Sequence, residues 1–186
     1  MDSKVFKENL GRNDIPDAME QLIHFQNNIS GFEYYAQGFG LFVDNKSGLR
    51  SWSENEAFLE RLIPFAQANG SGSFYTFWDN GTGKPLEAMP ILVFGDEGGV
   101  HIVAEDFRQL LQLLTYDTEI SVDFETAYFY KHEEDHEPSD DQPAFREWLK
   151  ENCNLDPVQE PNQTIKAAQD KYQQPFEVWF KQYYSI

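Results

Sequence analysis

His132-Glu133-Glu134-Asp135-His136 is the run in this sequence whose spacing most resembles a reaction centre. On a helix, H-E-x-x-H sets two imidazoles on one face to ligate zinc, with the glutamate beside them as general base. Such a helix must be anchored by apolar residues, and the neighbours here are Glu134, Asp135, Glu137 and Pro138. The run therefore reads as a solvated acidic loop and not as a metal centre. Gly83-Lys84-Pro85 lacks the Ser/Thr and the earlier glycine of a phosphate loop, and Gly70-Ser71-Gly72 lacks the third glycine of a dinucleotide fingerprint. Both read as turns. Cys153 stands near Glu151, and an acidic neighbourhood raises a thiol pKa and argues against a nucleophile. No catalytic residue, metal ligand or cofactor is assigned from the sequence. Thirty-two acids make chance pairs of carboxylates unavoidable, so pairing alone identifies nothing.

The charge is more informative. In 186 residues, 32 Asp and Glu face 14 Lys and Arg, a formal net charge of −18. Nucleic-acid binding rests on cations that neutralise phosphates, so this balance argues against DNA and RNA. It argues equally against an anionic membrane surface, and it suits a basic protein partner. Residues 94–186 hold twenty acids to seven bases, against twelve to seven before them. The longest apolar runs, Met89 to Phe94 and Leu110 to Leu114, are far too short for a membrane span. Met1 to Leu10 has no apolar stretch of a secretory leader, and the single cysteine suits a reducing compartment. A cytoplasmic location is the expectation. With 40% hydrophobic and 16% aromatic residues, there is ample material for a core.

Turn signals cut the chain into short elements. Ile15-Pro16 opens a helix whose Ile15, Met19, Leu22, Ile23 and Ile29 share a face, with Gly31 as its C-cap. Phe32 to Val43, aromatic and interrupted by Gly38 and Gly40, predicts a strand with a bulge or a bend. Asn45-Lys46-Ser47-Gly48 is a turn before Leu49–Trp52. Ser53-Glu54-Asn55-Glu56 has capping-box form ahead of a short helix, with Phe58, Leu59 and Leu62 inward and Pro64 ending or interrupting it. An antiparallel meander follows: 63–68, a turn at Asn69-Gly70-Ser71-Gly72, then 73–78, and later 90–94 and 100–104 around Gly95-Asp96-Glu97-Gly98-Gly99. Asp106 caps a helix over 107–114. Past the acidic loop, 144–152 and 161–184 predict helices, the second broken near Pro175 and carrying Phe176, Trp179, Phe180, Tyr183 and Tyr184 as a face for the sheet.

The run from Asn69 through Phe74-Tyr75-Thr76-Phe77-Trp78 resembles the glycine-turn and aromatic-strand segment of the SUKH superfamily. Met89 to Ala104 is similar to that family's next hairpin, and Glu105-Asp106-Phe107-Arg108-Gln109-Leu110-Leu111 to its closing helix. Asp106 stands where the family usually has serine, which preserves an N-cap. The opening Ile15-Pro16 helix and Trp52 also fit the order of parts. The likeness covers about the first two thirds of the chain. It implies a binding module and not an enzyme. Many bacterial members are toxin-immunity proteins, and yeast relatives regulate cell-wall assembly and signalling.

The expected fold is α+β: an antiparallel sheet of about five or six strands with helices packed against it. The expected organisation is a SUKH-like domain over 1–131, an acidic loop over 132–143 and a helical C-terminal extension over 144–186 on the same domain. The expected function is non-catalytic protein binding, toxin neutralisation foremost, with a basic nuclease-type toxin as partner. A cell-wall or signalling regulator, or an acidic metal-dependent hydrolase, is the alternative. Trp78, Asp79, Asp96 and Glu97, on an aromatic strand and the adjoining turns, are the candidate partner-binding residues.

Overall fold

Asn69 shows how local chemistry sets the sheet. Its side-chain oxygen accepts the amides of Gly72 (3.2 Å) and Ser73 (2.9 Å), folding the chain back on itself. That turn joins β2 (Leu62–Gln67) to β3 (Phe74–Trp78). The computed structural model describes residues 1–11, 15–28, 34–132 and 134–184. In it a five-stranded antiparallel sheet runs in the order β1 (Gly40–Leu41), β2, β3, β4 (Ile91–Phe94), β5 (Val100–Ala104). A separate two-stranded hairpin is formed by β6 (Ile120–Val122) and β7 (Ala127–Phe129).

Both faces of the large sheet are covered, which is why its strands read as unbroken apolar runs. On one face Tyr75, Phe77, Ile91 and Val93 join a core with α1 (Ser3–Leu10), α2 (Asp17–Asn28), α5 (Phe107–Leu113) and α6 (Gln142–Cys153). On the other face Trp78, Leu92, Phe94 and Ile102 are sealed by Ala168, Tyr172, Phe176 and Phe180 of α7 (Pro161–Phe180). The α+β expectation holds, and the C-terminal helices supply part of one layer and most of the other. Gln173 on α7 caps the β5 edge by accepting the Ile102 amide (2.9 Å). Asn162 does the same for β7, accepting Phe129 N (2.8 Å) and donating to Phe129 O (2.9 Å). Two exposed edges are thereby closed to pairing with other chains. Among the described residues no helix is long and apolar enough to cross a membrane.

Several elements differ from expectation. The strand expected over 32–43 is two residues long; Gly38 takes φ +71° with Asn69 Cα only 2.7 Å from where a Cβ would stand, so the chain bends there. Residues Ile29, Gly31 and Phe32 lie outside the described residues. Ser47 and Gly48, expected in a turn, begin a short helix with Leu49, α3 (Ser47–Arg50). Asn55 caps α4 (Glu56–Leu59), accepting Ala57 N at 2.9 Å. Pro64 lies within β2 beside a bulge, and β1 ends at Leu41 opposite Ala66, so its missing N–H interrupts no ladder on that side. The last helix is unbroken at Pro175, with Tyr172 and Phe176 on either side of it buried against the sheet. Neither α1 nor the β6–β7 hairpin was expected.

The acidic loop is not a free solvated segment among its described residues. Buried Asp117 accepts the Ser139 amide (2.8 Å), the Ser139 hydroxyl (2.7 Å) and the Gln37 amide (3.3 Å), pinning the segment to the body. Glu137 O accepts Gln37 Nε2 (2.7 Å), and Asp141 N donates to Tyr34 O (2.9 Å). Glu134, Asp135, Glu137 and Asp140 stay exposed.

Candidate functional site

The glycine turn between β4 and β5 is shaped by a close approach. Gly95 N donates to Gly99 O (2.9 Å), and Gly98 and Gly99 take φ of +116° and +82°. A Cβ on Gly99 would stand 2.0 Å from Asp123 O, and one on Gly98 would stand 2.4 Å from the Phe124 ring. Only glycines let the β6–β7 turn dock here. His101, buried on β5, donates Nε2–H to the same Asp123 carbonyl (2.8 Å). Asp123 then folds its own turn, its carboxylate accepting Glu125 N and Thr126 N at 2.8 Å each. These two bonds hold its carboxyl below the usual carboxylate range.

The consequence is an exposed aromatic on a fixed support. Phe124 is 73% exposed, an unusual position for a phenyl ring with so much backbone holding it. It forms a wall common to two grooves of about 570 Å³ and 580 Å³, with Trp52 and Tyr184 as their other shared walls. Trp52 is itself fixed edge-on to Phe94 (5.4 Å) and against Tyr184 (5.2 Å). The first groove adds Phe74, stacked on Phe94 at 5.2 Å, together with Asp44, Asp96 and Glu97. The second adds His101, Glu125, Glu177 and Lys181 over Phe176 and Phe180.

Asp96 is held by its neighbours. Its Oδ1 accepts the hydroxyls of Ser73 (2.7 Å) and Ser71 (2.8 Å), while its amide donates to Ser73 Oγ (3.2 Å). The Ser73 bond foremost, with Ser71 and backbone amides assisting, keeps the Asp96 carboxyl below its ordinary range.

The four residues singled out from sequence do not form one surface. Asp96 and Glu97 are exposed at this end of the sheet. Trp78 and Asp79 are at the far end of β3, since Phe74 pairs with Phe94 and Trp78 with Leu62. Asp79 there bonds Gly81 N through its carboxylate (2.9 Å) and Arg61 through its backbone. Trp78 is 3% exposed, packed edge-on against Phe176 (5.2 Å) with its indole N–H unpartnered, so it is withdrawn from any partner. Phe124, Tyr184 and Asp44 were missed. Phe124 had one sequence signal, a lone aromatic between Asp123 and Glu125.

The H-E-x-x-H run makes no helical face. Its residues 134 and 135 are in a turn, His132 Nδ1 meets Asp135 Oδ2 (3.0 Å), and His136 Nε2 turns instead toward Asp117 (3.8 Å). Among the described residues no group of three or more His, Cys, Asp or Glu is arranged to hold a metal ion. Burial pushes the Cys153 thiol up. Compared with known protein families, with curated proteins and with solved structures, the chain matches none.

Proposed function

We propose that this chain is a non-catalytic protein-binding module, an immunity protein that neutralises a basic, nuclease-type toxin in the cytoplasm by occluding it. The observation that carries the reading is Phe124, an exposed ring braced by the Gly98–Gly99 turn and the His101–Asp123 bond between two carboxylate-lined grooves. Binding energy concentrates on aromatic anchors at the centre of an interface, and surrounding charge governs encounter. The net charge of −18 supplies the long-range attraction for a basic partner. The resemblance of the meander to the SUKH superfamily points the same way.

The test is protection. A toxin domain encoded beside this gene is expressed with and without the chain, and binding of the purified pair is measured by calorimetry. Rescue of growth with a one-to-one complex is the expected result. A toxin domain that neither binds nor is neutralised overturns the immunity reading.

A further inference from the structure

The first groove holds an unbalanced charge. Asp44, Asp96 and Glu97 line it, and no basic side chain is among its lining residues. Among the described residues none of the three forms an ion pair, although seven pairs of Lys or Arg with a carboxylate occur elsewhere. Two of the three are also fixed in place: Asp44 accepts Gly48 N (3.0 Å) and the Ser47 hydroxyl, and Asp96 accepts its two serine hydroxyls. The other walls are rings, from Trp52, Phe74, Phe124 and Tyr184.

We propose that this groove receives an arginine side chain from the partner protein, its guanidinium paired with Asp96 and stacked among the aromatic walls. The inference rests on the protein-binding reading and names what the partner must present. Among the described residues the groove's three carboxylates are not grouped to hold a metal ion. A guanidinium is planar, weakly hydrated, and matched both to carboxylates and to ring faces. Lysine, a compact and strongly hydrated ammonium, gains less from the rings. A volume of about 570 Å³ is ample for one arginine side chain. The depressed Asp96 carboxyl stays ionised through the whole physiological range.

The probe is the peptide acetyl-Gly-Arg-Gly-amide, titrated into the isotopically labelled full chain and followed by two-dimensional NMR. Its control carries citrulline, which keeps the shape and removes the charge. The arginine peptide shifts the Trp52 indole N–H and the amides of Gly72, Gly95 and Gly98, saturating at millimolar concentration. The citrulline and lysine peptides bind at least ~10-fold more weakly. Asp96→Asn, which keeps an acceptor for both serines, weakens the arginine peptide by a similar factor, and so does Phe124→Ala. Asp79→Asn, at the other end of the sheet, changes nothing. Equal shifts from citrulline, or equal losses from Asp79→Asn and Asp96→Asn, overturn the proposal. If the toxin domain binds while the arginine peptide does not, the groove assignment fails alone; if the peptide binds and no toxin is neutralised, the immunity reading fails and the arginine groove stands.

Discussion

Replacing Gly99 by alanine tests whether the β6–β7 turn is truly held against the sheet. Gly83 provides the reference, because its φ of +70° is close to the +82° of Gly99 but nothing lies within 4 Å of its Cβ position. Each substitution places an alanine in left-handed backbone at a cost of roughly 1–2 kcal/mol. Gly99→Ala must in addition clear Asp123 O from 2.0 Å to ordinary contact. A shift of that size breaks the 2.8 Å bond from His101 to the same carbonyl and strands a buried imidazole donor, costing about 1–3 kcal/mol more. Gly99→Ala should therefore destabilise by ~3 kcal/mol and Gly83→Ala by only ~1–2 kcal/mol. For a chain of this length that separation is about 2–8 °C in Tm. Urea unfolding followed by tryptophan fluorescence measures both, and amide exchange at Glu125 and Thr126 reports the turn itself. Equal destabilisation of the two variants, with exchange at that turn unchanged, refutes the docking argument.

Three further outcomes follow from the packing. Phe176→Ala removes a ring that is 1% exposed against Trp78 and Phe180, and should cost ~3–5 kcal/mol, whereas Val178→Ala, 57% exposed two residues on and on the opposite face of the helix, should cost under ~0.5 kcal/mol by the same denaturant titration. Asp117→Ala orphans the Ser139 and Gln37 amides, so stability should fall by ~2 kcal/mol or more and amide exchange over 134–141 should accelerate; protected amides there would contradict the pinning. Burial raises the Cys153 thiol, so less thiolate is present at a given pH, and Ellman's reagent at pH 8 should react only as fast as the chain unfolds; immediate labelling of the native chain would contradict it.

The parts of the fold that were legible are those fixed by neighbours in sequence. Asn69 with its glycines, Asp106 before Phe107, and the 95–99 turn each carry their own hydrogen bonds, so the meander and α5 emerged in place. The candidate site was legible only where it shares those turns, at Asp96 and Glu97. Trp78 was misplaced because β3 has rings on both faces, and a sequence does not say which face α7 will cover. Phe124 was missed because its exposure is decided across the molecule, by clearance at Gly98 and Gly99 and by His101. The acidic segment was read as fully solvated because Asp117, which anchors it, lies some twenty residues earlier and shows no local signal.

The central claim is that the Phe124 face meets the partner, and the most direct measurement is the kinetics of a toxin domain encoded beside this gene over a salt series. Exposed charges are screened beyond a Debye length of ~8 Å at physiological ionic strength, so association should slow steeply with salt while dissociation changes little. Phe124→Ala should raise the dissociation rate by roughly 30-fold or more, as expected for an anchor worth about 2 kcal/mol, and leave the salt dependence of association intact. A Phe124→Ala chain that releases the toxin no faster than the unaltered protein, with an association rate flat across the salt series, would contradict the account.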